Sequence, residues 1–198
     1  YTPLGHEIII DLDESYLKND KIKYPIRLDP AFEIHKEKIP DTVLYSNYSQ
    51  NYYLQQYAVM GHSELGNSRW YSRFRLKNIL NCTENDIISA TLCLHELSGV
   101  SNDMDLIINQ CNAQWTSTEM TWNTKTLIGK ELTRQKIKPG QINEIDLTSY
   151  VKQCFSDKSS LMESIGIIIS TREVENNKFQ IFATSDNTQY APFLIIKL

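Results

Sequence analysis

Between Tyr45 and Tyr71 the chain carries Tyr45, Tyr48, Tyr52, Tyr53, Tyr57, Trp70 and Tyr71, interleaved with Asn47, Gln50, Asn51, Gln55 and Gln56. Aromatic rings stack on the apolar face of a sugar, and neighbouring amides can donate to and accept from its hydroxyls. That is the chemistry of carbohydrate recognition. It assigns Tyr48, Tyr52, Tyr53, Trp70 and Tyr71 to a ligand-binding face. The same residue types also serve to cover a sheet, because tyrosine is commonly half buried, so a structural reading of the segment stands beside the binding one. A second aromatic pair, Trp115 and Trp122, encloses the hydroxyl-rich run in QWTSTEMTWN. Seven residues apart, the two rings would lie on opposite faces of one continuous strand. The hydroxyls of Thr116, Ser117 and Thr118 offer turn chemistry instead. The expectation is strand, loop, strand, with both rings turned inward to close an end of the core and Thr118, Thr121 and Asn123 bonding the loop backbone.

Residues suited to catalysis do not converge. Asp11 and Asp13, Asp103 and Asp105, and Glu173 and Glu175 are spaced i, i+2. Such a pair would serve glycoside hydrolysis only by flanking a cleft at roughly 5 to 9.5 Å. Next to turn signals they read as solvated charges. His6, His35, His62 and His95 are scattered, and no G-x-S-x-G elbow is present, so an enzyme is not expected. Cys82, Cys93, Cys111 and Cys154 form no C-x-x-C pair and are unevenly spaced, which suits structural thiols. A sharper expectation concerns Cys93 and Cys111. A hairpin through SGVSND at 98–103 would set them nearly opposite, and they could bridge if their Cβ atoms came within about 4.5 Å.

The chain that must position these residues has 198 of them, enough for one domain with a sizeable core. Apolar residues make up 41% and charged residues 22%, the composition of a folded protein. A formal charge of −4 with no basic block argues against nucleic acid as a partner. Wholly apolar runs such as 8–10 and 167–169 are far below the ~20 residues of a membrane helix, so no membrane insertion is expected. The sequence opens at Tyr1 with neither an initiator Met nor a charged and apolar leader, and reads as a piece of something longer.

Periodicity is mostly of period two. ISATLCLHEL alternates Ile88, Ala90, Leu92 and Leu94 against Ser89, Thr91, Cys93 and His95, a half-buried strand. RFRLKNI sets Phe74 and Leu76 against Arg73 and Arg75, and the closing PFLIIKL sets Leu194, Ile196 and Leu198 against Phe193, Ile195 and Lys197. Turn clusters separate these runs: GHSELGNS, KPGQ, VENNK and SDNTQ. A single stretch reads helically: DLTSYVKQCF places Leu147, Val151 and Phe155 four apart, with Thr148 as N-cap, for one short helix near 148–155. Many short strands, no βαβ rhythm and one helix predict an all-β fold, an antiparallel two-sheet β-sandwich of jelly-roll type. Residues 1–30, ending on YPIRLDP, read as lead-in strands or the tail of a preceding domain, with the module spanning 31–198.

The ordered set of pieces resembles the DNRLRE domain family. Tyr24-Pro25 leads to Asp29-Pro30, Asp41-Thr42 opens a strand, and Phe74 and Leu76 follow. Then come Ile88, Ala90, Leu92 and Leu94 in an I-x-A-x-L-x-L strand, the W-x-x-x-x-x-T-W-N of Trp115, Thr121, Trp122 and Asn123, and Asp146 with Thr148 before a helical turn. The resemblance covers about residues 24–198. It implies a non-catalytic β-sandwich module of a bacterial secreted or cell-surface protein, related to carbohydrate-binding modules. The expected partner is a polysaccharide or cell-wall glycan. The alternative is a structural or assembly module, a spacer or fibre subunit that contacts neighbouring domains or copies of itself. No organic cofactor is implied. A structural calcium is the one ion such modules bring to mind, with Asp41 as its carboxylate ligand; calcium takes six to eight oxygens.

Overall fold

A computed structural model describes residues 31–34, 39–75, 82–100, 103–111, 113–156, 164–172 and 177–198, and among these described residues the alternating segments form eleven strands and one helix. In chain order these are β1 (Ala31–Ile34), β2 (Asp41–Tyr45), β3 (Tyr57–Ser63), β4 (Gly66–Arg75), β5 (Ser89–Gly99), β6 (Asp105–Gln110), β7 (Glu131–Lys136) and β8 (Ile142–Asp146). Helix α1 (Thr148–Ser156), β9 (Ser164–Thr171), β10 (Lys178–Ala183) and β11 (Phe193–Lys197) complete the fold. All pairings among the described residues are antiparallel.

One sheet runs β2-β4-β9-β6-β7 and the other β8-β5-β11-β1. Strands β3 and β10 join them, because β10 pairs with the far end of β5 and β3 with the start of β4. This is the two-sheet β-sandwich that the period-two pattern predicts. The core between the sheets takes Val43, Trp70, Phe74, Leu106, Ile165 and Ile167 from one side and Ala90, Leu92, Leu94, Ile145, Leu194 and Ile196 from the other. Alternation is what makes this possible, since every second side chain points inward. At the β3–β4 hairpin Gly66 has φ +84°, and a Cβ there would collide with Ser46 Oγ, so the turn requires glycine.

Several expectations change in detail. The helix forms at Thr148–Ser156, but its cap is Asp146, whose Oδ1 accepts from Thr148 N at 2.8 Å; the Thr148 hydroxyl accepts instead from Ala90 N at 3.0 Å. Ile88 precedes its strand and is exposed. Strands β5 and β6 do not form a hairpin: they lie in different sheets, and the chain crosses between them. Cys93 and Cys111 therefore do not face one another, and no disulfide joins them. Leu76 and the lead-in 1–30 lie outside the described residues.

A second, smaller apolar cluster sits on the outer face of the β2-β4-β9-β6-β7 sheet. It contains Leu44, Tyr71, Cys111, Met120 and Ile168, with Trp115 and Trp122 packed against it. The irregular segment between β6 and β7 forms the cover.

Candidate functional site

The aromatic residues that the sequence groups together are divided by strand β4. Trp70 and Tyr71 are adjacent in the chain and point to opposite faces, yet both are fully buried. Trp70 enters the core, where its Nε1 donates to Asp41 Oδ2 at 2.9 Å. Tyr71 points outward beneath the β6–β7 segment, donates to Thr126 O at 3.0 Å and meets the Trp115 ring edge-on at 5.9 Å. Burial pushes the Tyr71 phenol up from its ordinary range. Neither ring offers a face to a ligand. The expected five-residue platform loses these two because β4 is covered on both sides, a condition alternation alone cannot reveal.

Tyr48, Tyr52 and Tyr53 do come together, on the loop between β2 and β3. Tyr48 is 41% exposed and stands edge-on to Tyr52, with ring centroids 6.2 Å apart. Tyr52 packs in turn on buried Tyr45 at 5.0 Å, and Gln50 Nε2 donates to its Oη at 2.7 Å. Asn51 fixes the loop: Oδ1 accepts from Tyr53 N at 2.9 Å, while Nδ2 donates to Ser117 O and Met120 O at 2.5 and 2.6 Å. An exposed ring, two half-buried rings and their amides are thus held against the β6–β7 segment.

Beside this loop opens a cleft of about 300 Å³, with Tyr53, Leu54, Arg75, Ser117 and Asp186 on its walls and Asp41 among its lining residues. Asp41 is only 4% exposed. Ser185 donates to it through both its backbone N–H (3.0 Å, to Oδ2) and its hydroxyl (2.6 Å, to Oδ1), so three donors with Trp70 converge on one carboxylate. Burial outweighs them and pushes the Asp41 carboxyl up to about 6, with Asp186 adding to the rise. Those N–H and O–H dipoles point positive ends at the oxygens a cation would need. No group of three or more metal-ligating side chains occurs among the described residues. The residues at Asp41 do not fit the oxygen shell of calcium.

Trp115 and Trp122 do not close an end of the core. They lie half buried on the outer face of the sheet, and cations from β4 cover them. The Arg73 guanidinium sits 5.0 Å over the Trp115 ring and also donates to Gln114 Oε1 and Ala113 O, both at 3.3 Å. Trp122 meets Arg69 at 5.1 Å and Lys125 at 4.2 Å. Ring faces occupied by cations in this way hold the segment to the sheet. The Asp103 and Asp105 pair lies at the surface, where Lys136 Nζ stands 2.5 Å from one and 3.1 Å from the other, as solvated charges would.

The cleft's Leu54, Arg75, Ser117 and Asp186 escape a sequence reading. They come from four separate segments, and only the fold brings them together. The one local signal is the turn chemistry of SDNTQ, which holds Asp186.

No curated protein matches the chain. The family model for carbohydrate-binding module family 96 matches residues 37–198, which takes in all of the cleft and its loop. The resemblance seen in the sequence is therefore upheld at the level of a carbohydrate-binding module. With most of its length matched, the chain belongs to carbohydrate-binding module family 96.

Proposed function

We propose that this module binds a glycan of a cell wall or other extracellular matrix, as a non-catalytic part of a secreted or cell-surface protein. The ligand lies across the β2–β3 loop and into the cleft beside it. One observation carries this reading: Tyr53 lines the cleft together with the polar groups of Arg75, Ser117 and Asp186, while Tyr48 displays its ring on the same loop. A sugar there would set its C–H face on Tyr53 and Leu54. Its hydroxyls would meet Ser117, Asp186 and Arg75, the mixture of apolar surface and few convergent polar groups that small-ligand sites use. Tyr52 supports Tyr48 from beneath rather than touching the ligand.

The loop is preorganised by Asn51, so little ordering cost opposes binding. Titration of the chain with wall polysaccharides and uronate polymers should give saturable binding. Tyr53→Ala should weaken it about tenfold, the worth of one stacked ring, while the melting temperature stays the same. Equal binding by this variant would remove the cleft from the site.

A further inference from the structure

We propose that the cleft between edge strand β7 and helix α1 is a second saccharide-binding site, one that takes the hydroxyls of a further sugar along the glycan chain. The proposal rests on the carbohydrate-binding reading, but on residues that the first cleft does not share. This second cleft has a volume of about 260 Å³, with Leu132, Leu147 and Tyr150 as its apolar lining. Tyr150 turns its hydroxyl inward to donate to Gly166 O at 2.8 Å, so ring carbon is what it offers the cleft. Thr133, Ser149 and Gln153 also line it, with two hydroxyls and an amide whose side chains make no hydrogen bond among the described residues. Ser149 and Gln153 are exposed, so the mouth is open to solvent.

Charge does not decide what fits. Glu131 is held by Arg134 at 2.8 Å, Asp146 accepts from the backbone N–H and hydroxyl of Thr148, and exposed Lys130 balances this second carboxylate. Recognition falls to uncharged donors and acceptors beside an apolar lining. The complement of such a site is a sugar, with hydroxyls around a C–H face. Strand β7 adds to the set: it ends its sheet, so alternate residues turn backbone N–H and C=O groups toward this side.

Sheet register ties the two clefts together. Asp41, in the first cleft, pairs with Ser72, Ser72 with Ile167, and Ile167 with Gln110. Gln110 N then donates to Lys130 O at 2.8 Å, and Lys130 lines the second cleft. One row of the sheet therefore runs from cleft to cleft across β2, β4, β9, β6 and β7. At the usual strand spacing that is about 19 Å. Both clefts lie at the same end of the sandwich, on the two edges of one sheet. A single extended glycan can occupy both, and the second contact then gains from the effective concentration set by the first.

Nuclear magnetic resonance of the full chain, titrated with xylohexaose and with a galacturonate hexamer, tests this. The Gln153 side-chain amide signal should move with at least one of them, in wild type and in Tyr53→Ala alike. Calorimetry with soluble xylan and polygalacturonate should show a chain carrying both Ser149→Ala and Gln153→Ala binding at least one polymer about tenfold more weakly than wild type. Both positions are exposed, so its melting temperature should stay the same; should it fall, the wild-type Gln153 signal decides. An unmoved Gln153 amide, or wild-type affinity in the double variant, overturns the proposal. Shifts confined to Tyr53 and Asp186 defeat only this proposal. A Gln153 shift with Tyr53 unmoved upholds the second site and defeats the first cleft. A chain that binds none of the four saccharides defeats the carbohydrate reading as well.

Discussion

Asp41 joins β2 to Trp70 on β4 and to Ser185, 144 residues away. Its carboxyl stands near 6 in the fold against an ordinary value of 3.8, with burial as the largest cause. A raised carboxyl favours folding while protonated. Its contribution is complete below about pH 4 and is lost as pH rises through 6, by up to about 3 kcal/mol for a shift of this size. Urea melts of wild type and Asp41→Asn should therefore show the wild type's relative stability falling between pH 4 and 7. A gap that is constant, or that widens with pH, would show that the donors rather than burial control the group. Trp70→Ala removes a fully buried ring and one of those donors, and should cost about 3–5 kcal/mol. Trp122→Ala, half buried beneath two cations, should cost clearly less, about 1–2 kcal/mol by thermal or urea melting. The two tryptophans cannot be ranked from the sequence, where Trp122 is the more conspicuous. What separates them is the number of sides on which the fold covers each.

The strands are legible because a sandwich writes itself as alternation. Ala90, Leu92 and Leu94 face inward, as do Leu194 and Ile196, with no help needed from distant parts of the chain. Helix α1 is legible for the same reason, at its own period. The β6–β7 segment is not, because its apolar residues cover the outside of a sheet instead of filling the core. Met120, Trp115 and Trp122 obey no strand or helix period, and their partners Leu44, Tyr71 and Ile168 lie on three different strands. The crossover after β5 reads as a hairpin turn because turn chemistry marks a change of direction without saying which strand comes next. Asn51 links this cover to the β2–β3 loop through two backbone carbonyls. Asn51→Ala should cost about 1–2 kcal/mol and speed proteolytic cutting of both segments, read by mass spectrometry of a limited digest. Unaltered cleavage would mean that the cation-covered tryptophans hold the segment alone.

For the whole molecule, family and fold agree, and the site is where sequence reasoning stops. The match over residues 37–198 makes this a carbohydrate-binding module, a class that binds rather than cleaves. The tyrosines of the β2–β3 loop are visible in the sequence by their density. The groups that turn them into a cleft are not, since Arg75, Ser117 and Asp186 are brought together by β4, the cover segment and the β10–β11 loop. No described helix is long and apolar enough to cross a membrane. The central claim is that the glycan sits against Tyr53. A glycan array followed by calorimetry of the best ligand, with wild type and Tyr53→Ala side by side, tests it directly. The account predicts saturable binding by wild type and about tenfold weaker binding by an equally stable variant; no binding at millimolar glycan, or equal affinities, would contradict it.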